Sequence, residues 1–343
     1  MSRDTLYKII QECTNRVPLV VLGSGASIPW GLPSMWTLGE HLKSVVSFTD
    51  SDEKSQFEQF KTRFDACGDL ELTLNDIQLR PNVLKEIVIK TWELVSNADL
   101  DAYNKIICRT EPIPLTELFS HFLQTAGRRV AVITTNYDRI AEYAAGIAEA
   151  YICNGFATNI IGHFSDLIHQ NNFSNMRGFS GQVNIWKVHG SLDWYRTSSG
   201  VSVQLPMRSQ VPNDHTPSIV TPGISKYYET HSEPYRTISA QADREIEAAT
   251  GFLCIGYGFN DEHVQPKLIT QIRNGKPIIV ITKVLTEKIK SSIIGNNCKN
   301  YVLIEQDQNE PTGSRIYSSK LGELIIPDSD YWSLKSYLTI VKS

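Results

Sequence analysis

Val130–Asp138 reads VAVITTNYD, an apolar run of β type that stops abruptly in threonine, asparagine and aspartate. Two distant stretches share that form: Val20–Pro33 reads VVLGSGASIPWGLP, and Trp186–Ser191 reads WKVHGS. Buried strands that break off in small and polar residues line the crevice at the carboxyl ends of an open α/β sheet, where ligands of such sheets sit. Three endings of this kind predict one shared pocket of the nucleotide-binding type.

The rest of the chain supports a Rossmann-like α/β fold, a parallel sheet flanked by helices with a mostly helical insertion. Strands are expected at Pro18–Leu22, at 183–189, at 252–255 (FLCI) and at 278–282 (IIVIT), with helices at 232–250 and 261–274. Strand alternating with helix is the pattern of a parallel sheet. Residues 2–13 and 34–48 carry helical spacing. Residues 49–115 are charged and helically periodic, with one ambiguous β-like run at Ile87–Ile89, and read as the insertion. Pro112 and Pro114 close it, and Leu115–Gly127 leads back into the sheet as a helix. Residues 139–149 form an Ala-rich helix, and 151–182 read as loop. A hairpin is possible through Tyr195–Val203. The span 196–223 reads as a long loop region, its later part holding Pro206, Pro212, Pro217 and Pro222. Residues 1–300 are taken as one domain, and 301–343 as a C-terminal segment for assembly or partner contact.

Composition narrows the class. The chain has 343 residues, 41% apolar and 20% charged, as an ordinary globular protein does. Its formal net charge of -4 gives no overall attraction for nucleic acid or anionic lipid. No apolar stretch approaches the roughly 20 residues of a membrane helix. The N-terminus lacks a signal-peptide core, so the cytoplasm is the expected location. Cys13, Cys67, Cys108, Cys153, Cys254 and Cys298 are scattered without a CxxC pair, which argues against a zinc ribbon and against a disulfide framework.

Four segments carry residues suited to chemistry. Gly23-Ser24-Gly25-Ala26-Ser27 follows a strand and precedes a helical segment, so its glycines would let a phosphate approach the backbone. The third glycine of a dinucleotide fingerprint is missing, since Ile28 takes its place, and a plain strand–helix turn explains the segment equally well. Gly31-Leu32-Pro33 forms a second turn. Thr134-Thr135-Asn136-Tyr137-Asp138 offers donors and acceptors for ribose hydroxyls, water or an amide; the competing reading makes Asn136 or Asp138 a helix cap. His189, followed by Gly190-Ser191, can act as a general base near neutral pH, although a lone strand-end histidine is more often structural. His263 is the next histidine candidate, with an ordinary helix position as its competing reading. Gly256-Tyr257-Gly258-Phe259-Asn260-Asp261 supplies a second set of backbone donors, with Asp261 equally an N-cap. Thr282-Lys283 ends a further strand, where adenosine-side contacts are expected.

In this order the motifs resemble the sirtuin (silent information regulator) family, and more closely its bacterial branch of antiphage defence. The family's opening glycine motif corresponds to Gly23–Ser27 and Gly31–Pro33, and its Gln-Asn-x-Asp motif to Thr135, Asn136, Tyr137 and Asp138. Its catalytic His-Gly corresponds to His189-Gly190, and its cofactor-touching Gly-x-Ser turn to Gly256-Tyr257-Gly258. The chain departs from the deacylase members in lacking their four-cysteine zinc module, in carrying Thr135 for the glutamine, and in the insertion at 49–115.

The resemblance implies an NAD+ glycohydrolase that releases nicotinamide and leaves ADP-ribose. NAD+ is then a substrate, with no cofactor and no metal. Asn136 would position the ribose and a water, His189 would accept a proton, and Asp138 would orient Asn136 or stabilise positive charge. The cofactor-type contacts would come from Gly23, Ser24, Gly25, Ala26, Ser27, Gly31, Pro33, Thr135, Gly256, Tyr257, Gly258 and Thr282. The resemblance further implies depletion of cellular NAD+ in abortive antiphage defence and a homo-oligomer. It also implies control by a separately encoded partner, either a HerA/FtsK-type hexameric ATPase or a short Argonaute. Direct nucleic-acid and membrane binding are not expected. The alternatives are a non-catalytic NAD+ or ADP-ribose binding module and an NAD-dependent protein deacylase.

Overall fold

The computed structural model describes residues 2–108, 112–157, 159–168, 177–221, 232–261 and 264–343. Its frame is a nine-stranded sheet. Strand β1 (Leu19–Leu22) lies in the middle, paired in parallel with β2 (Arg129–Thr134) on one side. Beyond β2 come β5 (Gln182–Lys187) and then β3 (Tyr151–Cys153), both parallel. On its other side β1 pairs in parallel with β9 (Phe252–Ile255), which is followed outward by β10 (Ile278–Ile281) and β11 (Tyr301–Gln306). The chain therefore builds outward from β1 in one direction and later in the other. The switch point falls at the carboxyl ends of β1 and β9, where open α/β sheets open their crevice.

The central strands form because both their faces are covered. In LVVL of β1, Val20 and Leu22 join one hydrophobic core, while Leu19 and Val21 join a second on the opposite face. Phe252-Leu253-Cys254-Ile255 and Ile278-Ile279-Val280-Ile281 divide between the faces in the same alternation. A strand buried on both sides reads as a continuous apolar run.

The insertion is helical as expected, and Ile87–Ile89 falls within a long helix. After α2 (Met35–Val45) come α3 (Ser51–Cys67), α4 (Leu70–Asp76) and α5 (Pro81–Ile107). Asp50 and Asp69 start the first two of these three helices as side-chain caps. Phe57, Phe60 and Phe64 of α3 pack with Leu38 and Leu42 of α2 and Ile87 of α5 in a core of their own. The next helix, α6 (Pro114–Leu123), ends earlier than Gly127, and α7 (Ile140–Ile147) follows β2.

Several expectations need correction. Tyr151–Cys153, expected in a loop, is the edge strand β3, and the short β4 (Gly162–His163) also falls in that span. The span 196–223 is more structured than a long loop. β6 (Gly190–Thr197), β7 (Ser202–Gln204) and β8 (His215–Ile219) join β4 in a second, four-stranded antiparallel sheet. Pro222 lies outside the described residues. Helix α8 (Tyr235–Ala248) agrees with expectation, and within the expected helix 261–274 α9 is described over Val264–Arg273. A further helix, α10 (Glu287–Ile293), links β10 to β11.

Residues 301–343 are continuous with the main sheet. β11 extends it in parallel, and β12 (Ser314–Ser318) and β13 (Gly322–Ile326) add an antiparallel edge. The last helix, α11 (Leu334–Lys342), packs on α1 (Ser2–Thr14) and α6, with Tyr337 and Ile340 fully buried. Among the described residues no helix is long and apolar enough to cross a membrane.

Candidate functional site

The sequence motifs converge at the switch point. The chain leaves β1 in a tight helical turn over Ser24–Ala26 and leaves β9 at Gly256, and the two turns lock together. Gly23 and Gly25 donate their N–H groups to the carbonyls of Ile255 and Gly256, each at 3.1 Å. A Cβ on Gly23 would lie 2.4 Å from the Gly256 carbonyl oxygen. Gly256 has φ +57, and a Cβ there would lie 2.4 Å from the Ala26 nitrogen. The glycines are thus required by the contact of turn with turn. The first loop's amides are also largely committed, because Ala26 and Ser27 bond back to the carbonyls of Gly23 and Ser24. Among the amides of Gly23–Ser27, Ser24's is the one without a backbone partner within the described residues. The loop therefore offers an anion less than a row of open N–H groups would.

Two cavities flank this lock. One, of about 170 Å³, is lined by Gly23, Ser24, Ser27, Pro33, Thr135 and Asn136, and by Asp138, His189, Tyr257, Gly258 and Asp261. The other, of about 500 Å³, is lined by Ser24, Gly25, Ala26, Gly256, Tyr257, Gly258 and Thr282, with apolar walls that include Trp30 and Trp332. Ser24, Tyr257 and Gly258 belong to both. Gly31 lines neither; at φ +90 it closes the short helical turn Ile28–Trp30. Two buried donors in the cavity walls, Tyr257 Oη and Trp332 Nε1, have no hydrogen-bond partner among the described residues. Buried polar groups are nearly always satisfied, so such orphans point to a ligand or water.

Asn136 stands just beyond β2. Its Nδ2 donates to the Gly23 carbonyl at 2.9 Å and to Ser27 Oγ at 3.1 Å. Both amide hydrogens are committed, and Oδ1 accepts no hydrogen bond among the described residues. The Ser27 hydroxyl in turn donates to the Asp138 carboxylate. Asp138, one residue before the N-cap of α7, Arg139, also accepts from the Ile140 N–H at 3.1 Å. Asp138 thus touches both the start of α7 and, through Ser27, the Asn136 amide. Burial pushes the Asp138 carboxyl up from its ordinary range, and Lys187 opposes that rise.

Lys187 ends β5 and is 0% exposed. Its ammonium reaches the Asp138 carbonyl and lies 3.2 Å from Glu142 Oε1. Burial pushes the Glu142 carboxyl up to about 7. Two residues on, His189 is followed by Gly190 at φ +84, where a Cβ would lie 2.0 Å from the Ser218 carbonyl oxygen. Glycine is therefore needed for the chain to turn into β6 and hold the histidine at the cavity.

Asp261 is the principal residue outside the sequence-derived set of site residues. It is 4% exposed, and its Oδ1 accepts the Val264 N–H at 2.8 Å, capping α9. Its Oδ2 lies 2.7 Å from His189 Nε2, a close charge contact off the axis of an aligned hydrogen bond. The cap was readable from the Gly-Phe-Asn-Asp string before a helix, whereas the pairing with His189 joins distant parts of the chain. His263 lies outside the described residues. The insertion also contributes walls, with Glu71 and Val95 lining the smaller cavity beside Leu38 of α2. Glu71 had no signal in sequence. Among the described residues no group of His, Cys, Asp and Glu side chains is placed to hold a metal ion.

Residues 130–277 match the SIR2-like domain. That match covers under half of the chain, from the start of β2 to the approach to β10. Similar solved structures include a Sir2 homologue point mutant in complex with ADP-ribose, at 16% identity over 83% of this chain and 87% of that one, TM-score 0.45. A Sir2 homologue–NAD complex matches at 16% identity over 88% and 87%, TM-score 0.45. A structure presented as the basis for the mechanism and regulation of Sir2 enzymes matches at 14% identity over 82% and 86%, TM-score 0.42. Comparison with curated proteins gives no match.

Proposed function

We propose that the chain is a SIR2-like protein that binds NAD+ across the two cavities and hydrolyses it to nicotinamide and ADP-ribose. The observation that carries this reading is the meeting of Asn136, His189 and Asp261 on one small cavity at the sheet's switch point. The smaller cavity, at about 170 Å³, is too small for a whole dinucleotide, and the larger one supplies the remaining volume. The adenine and its ribose would occupy the larger space, and the reacting ribose would reach His189. Tyr257 Oη and Trp332 Nε1 would give their hydrogens to the ligand.

The chemistry balances with water as co-substrate. The bond between the ribose C1′ and the pyridinium nitrogen breaks, and its electron pair goes to that nitrogen, giving neutral nicotinamide. The sugar passes through an oxocarbenium-like state, as in other glycoside cleavage. Water oxygen bonds to C1′, and its released proton goes to His189. Asn136 Oδ1 would hold the water or a ribose hydroxyl, with the amide fixed by Gly23 and Ser27. The SIR2-like match supports the ligand class for both turnover and simple binding. A base beside a fixed amide favours turnover.

Nicotinamide release from NAD+ by the purified chain tests the reading. Asn136→Ala and His189→Ala are each expected to lower the rate by about 10²-fold or more, while ADP-ribose still binds. Wild-type rates in both variants would overturn the site assignment. ADP-ribose binding with no nicotinamide release, alone or with a partner, would leave a binding module. Formation of O-acetyl-ADP-ribose from an acetyl-lysine peptide would make the chain a deacylase.

The motif resemblance supports a cytoplasmic role in abortive antiphage defence, as a homo-oligomer held silent by a separately encoded ATPase or Argonaute partner. NAD+ levels in infected cells carrying the chain with its neighbouring gene test this. They are expected to collapse with wild type and to hold with His189→Ala.

A further inference from the structure

We infer that Asp261 is the positioning residue that sets which nitrogen of His189 acts as the base. The inference deepens the glycohydrolase reading and rests on it for the identity of the reaction.

The Asp261 carboxylate is held from both ends: Oδ1 takes the Val264 N–H at 2.8 Å, and Oδ2 faces His189 Nε2 at 2.7 Å. A carboxylate oxygen has lone pairs and no proton to give. If neutral His189 carried its lone pair on Nε2, that lone pair would lie beside an anionic oxygen at that distance. The neutral ring must therefore carry its hydrogen on Nε2, which leaves the lone pair on Nδ1. Nε2 is buried against the Asp261 carboxylate. Nδ1 is the atom left to take a proton from water as C1′ is attacked. The imidazolium so formed lies against Asp261 in a site where His189 is 13% exposed and Asp261 4%, so their attraction is weakly screened.

The cap gives this proposal a clean test. Asparagine and serine both cap helices as aspartate does, so Asp261→Asn and Asp261→Ser keep the Val264 bond. Neither keeps a carboxylate beside Nε2. An asparagine amide would instead donate to Nε2 and drive the hydrogen to Nδ1. Long-range proton–nitrogen NMR of the full chain with labelled histidine reads the tautomer, with His189 assigned by its loss in His189→Ala. The wild type is expected to show hydrogen on Nε2, and Asp261→Asn hydrogen on Nδ1. Both variants are expected to lose at least about tenfold in kcat for NAD+ hydrolysis, with KM, ADP-ribose affinity and melting temperature close to wild type.

Hydrogen on Nδ1 in the wild type, or an unchanged tautomer in Asp261→Asn, would overturn the proposal. So would wild-type kcat in both variants, because a helix cap alone predicts that result. A tautomer that follows Asp261 in a chain that releases no nicotinamide would uphold the positioning and refute the glycohydrolase reading.

Discussion

Gly256 shows how one residue serves fold and site at once. Its φ of +57, and the 2.4 Å that would separate a Cβ at this position from the Ala26 nitrogen, leave no room for a side chain. Gly256→Ala is expected to destabilise the protein by about 2–3 kcal/mol through overpacking and backbone strain, read as a lower denaturant midpoint at constant m-value. An unchanged midpoint would mean the two turns do not lock as described. At this scale the strand-end residues were legible. Asn136 and His189 follow apolar runs that stop abruptly, and such stops mark the crevice of an α/β sheet. The partners of those residues were not legible. Ser27 links Asn136 to Asp138 because β1 and β2 end side by side, and Asp261 meets His189 because the chain returns to β1 from its far side. The glycines were legible as a turn, but their reason differs: Gly23 and Gly25 make room for Gly256, and most of the loop's amides are already bonded.

Among the elements, the insertion is anchored through one buried carboxylate. Asp99 of α5 is fully buried and accepts the Arg139 backbone N–H at 2.8 Å, its Nε at 3.0 Å and its Nη2 at 2.6 Å. It also accepts the Tyr143 hydroxyl at 2.6 Å. Removing one member of a buried ion pair leaves the other uncompensated. Asp99→Ala is therefore expected to cost about 3–5 kcal/mol, measured by urea unfolding. A loss below about 1 kcal/mol would show that Asp99 is not what anchors α5. Central strands and long helices were legible because burial on two faces or on one stripe leaves a periodic record. The hairpin expected through Tyr195–Val203 is present as the β6–β7 pair, but β3, β4 and β8 were not legible. They are short, and His-Thr-Pro-Ser-Ile in β8 has the composition of a loop; its strand form comes from pairing with β6. β12 and β13 escaped for the same reason, their pairing being tertiary rather than local.

Across the whole molecule, a charged layer of Asp138, Glu142 and Lys187 lies beneath the site and ties stability to pH. The Glu142 carboxyl is pushed up from 4.5 to about 7 by burial, so the folded state binds its proton more tightly than the unfolded chain does. Its contribution to stability is full below about pH 4.5 and is lost as pH rises through about 7. Between pH 5 and pH 7.5 the wild type is expected to lose up to about 3 kcal/mol more than Glu142→Gln does. Parallel profiles from urea unfolding at several pH values would contradict this. Above that layer lies the crevice where Asn136, His189 and Asp261 meet, and hydrolysis of NAD+ there is the central claim. Chromatography of NAD+ incubated with the full chain tests it most directly, with His189→Ala alongside. Nicotinamide and ADP-ribose are expected in equal amounts from the wild type, and neither from the variant. Equal hydrolysis by both would contradict the claim.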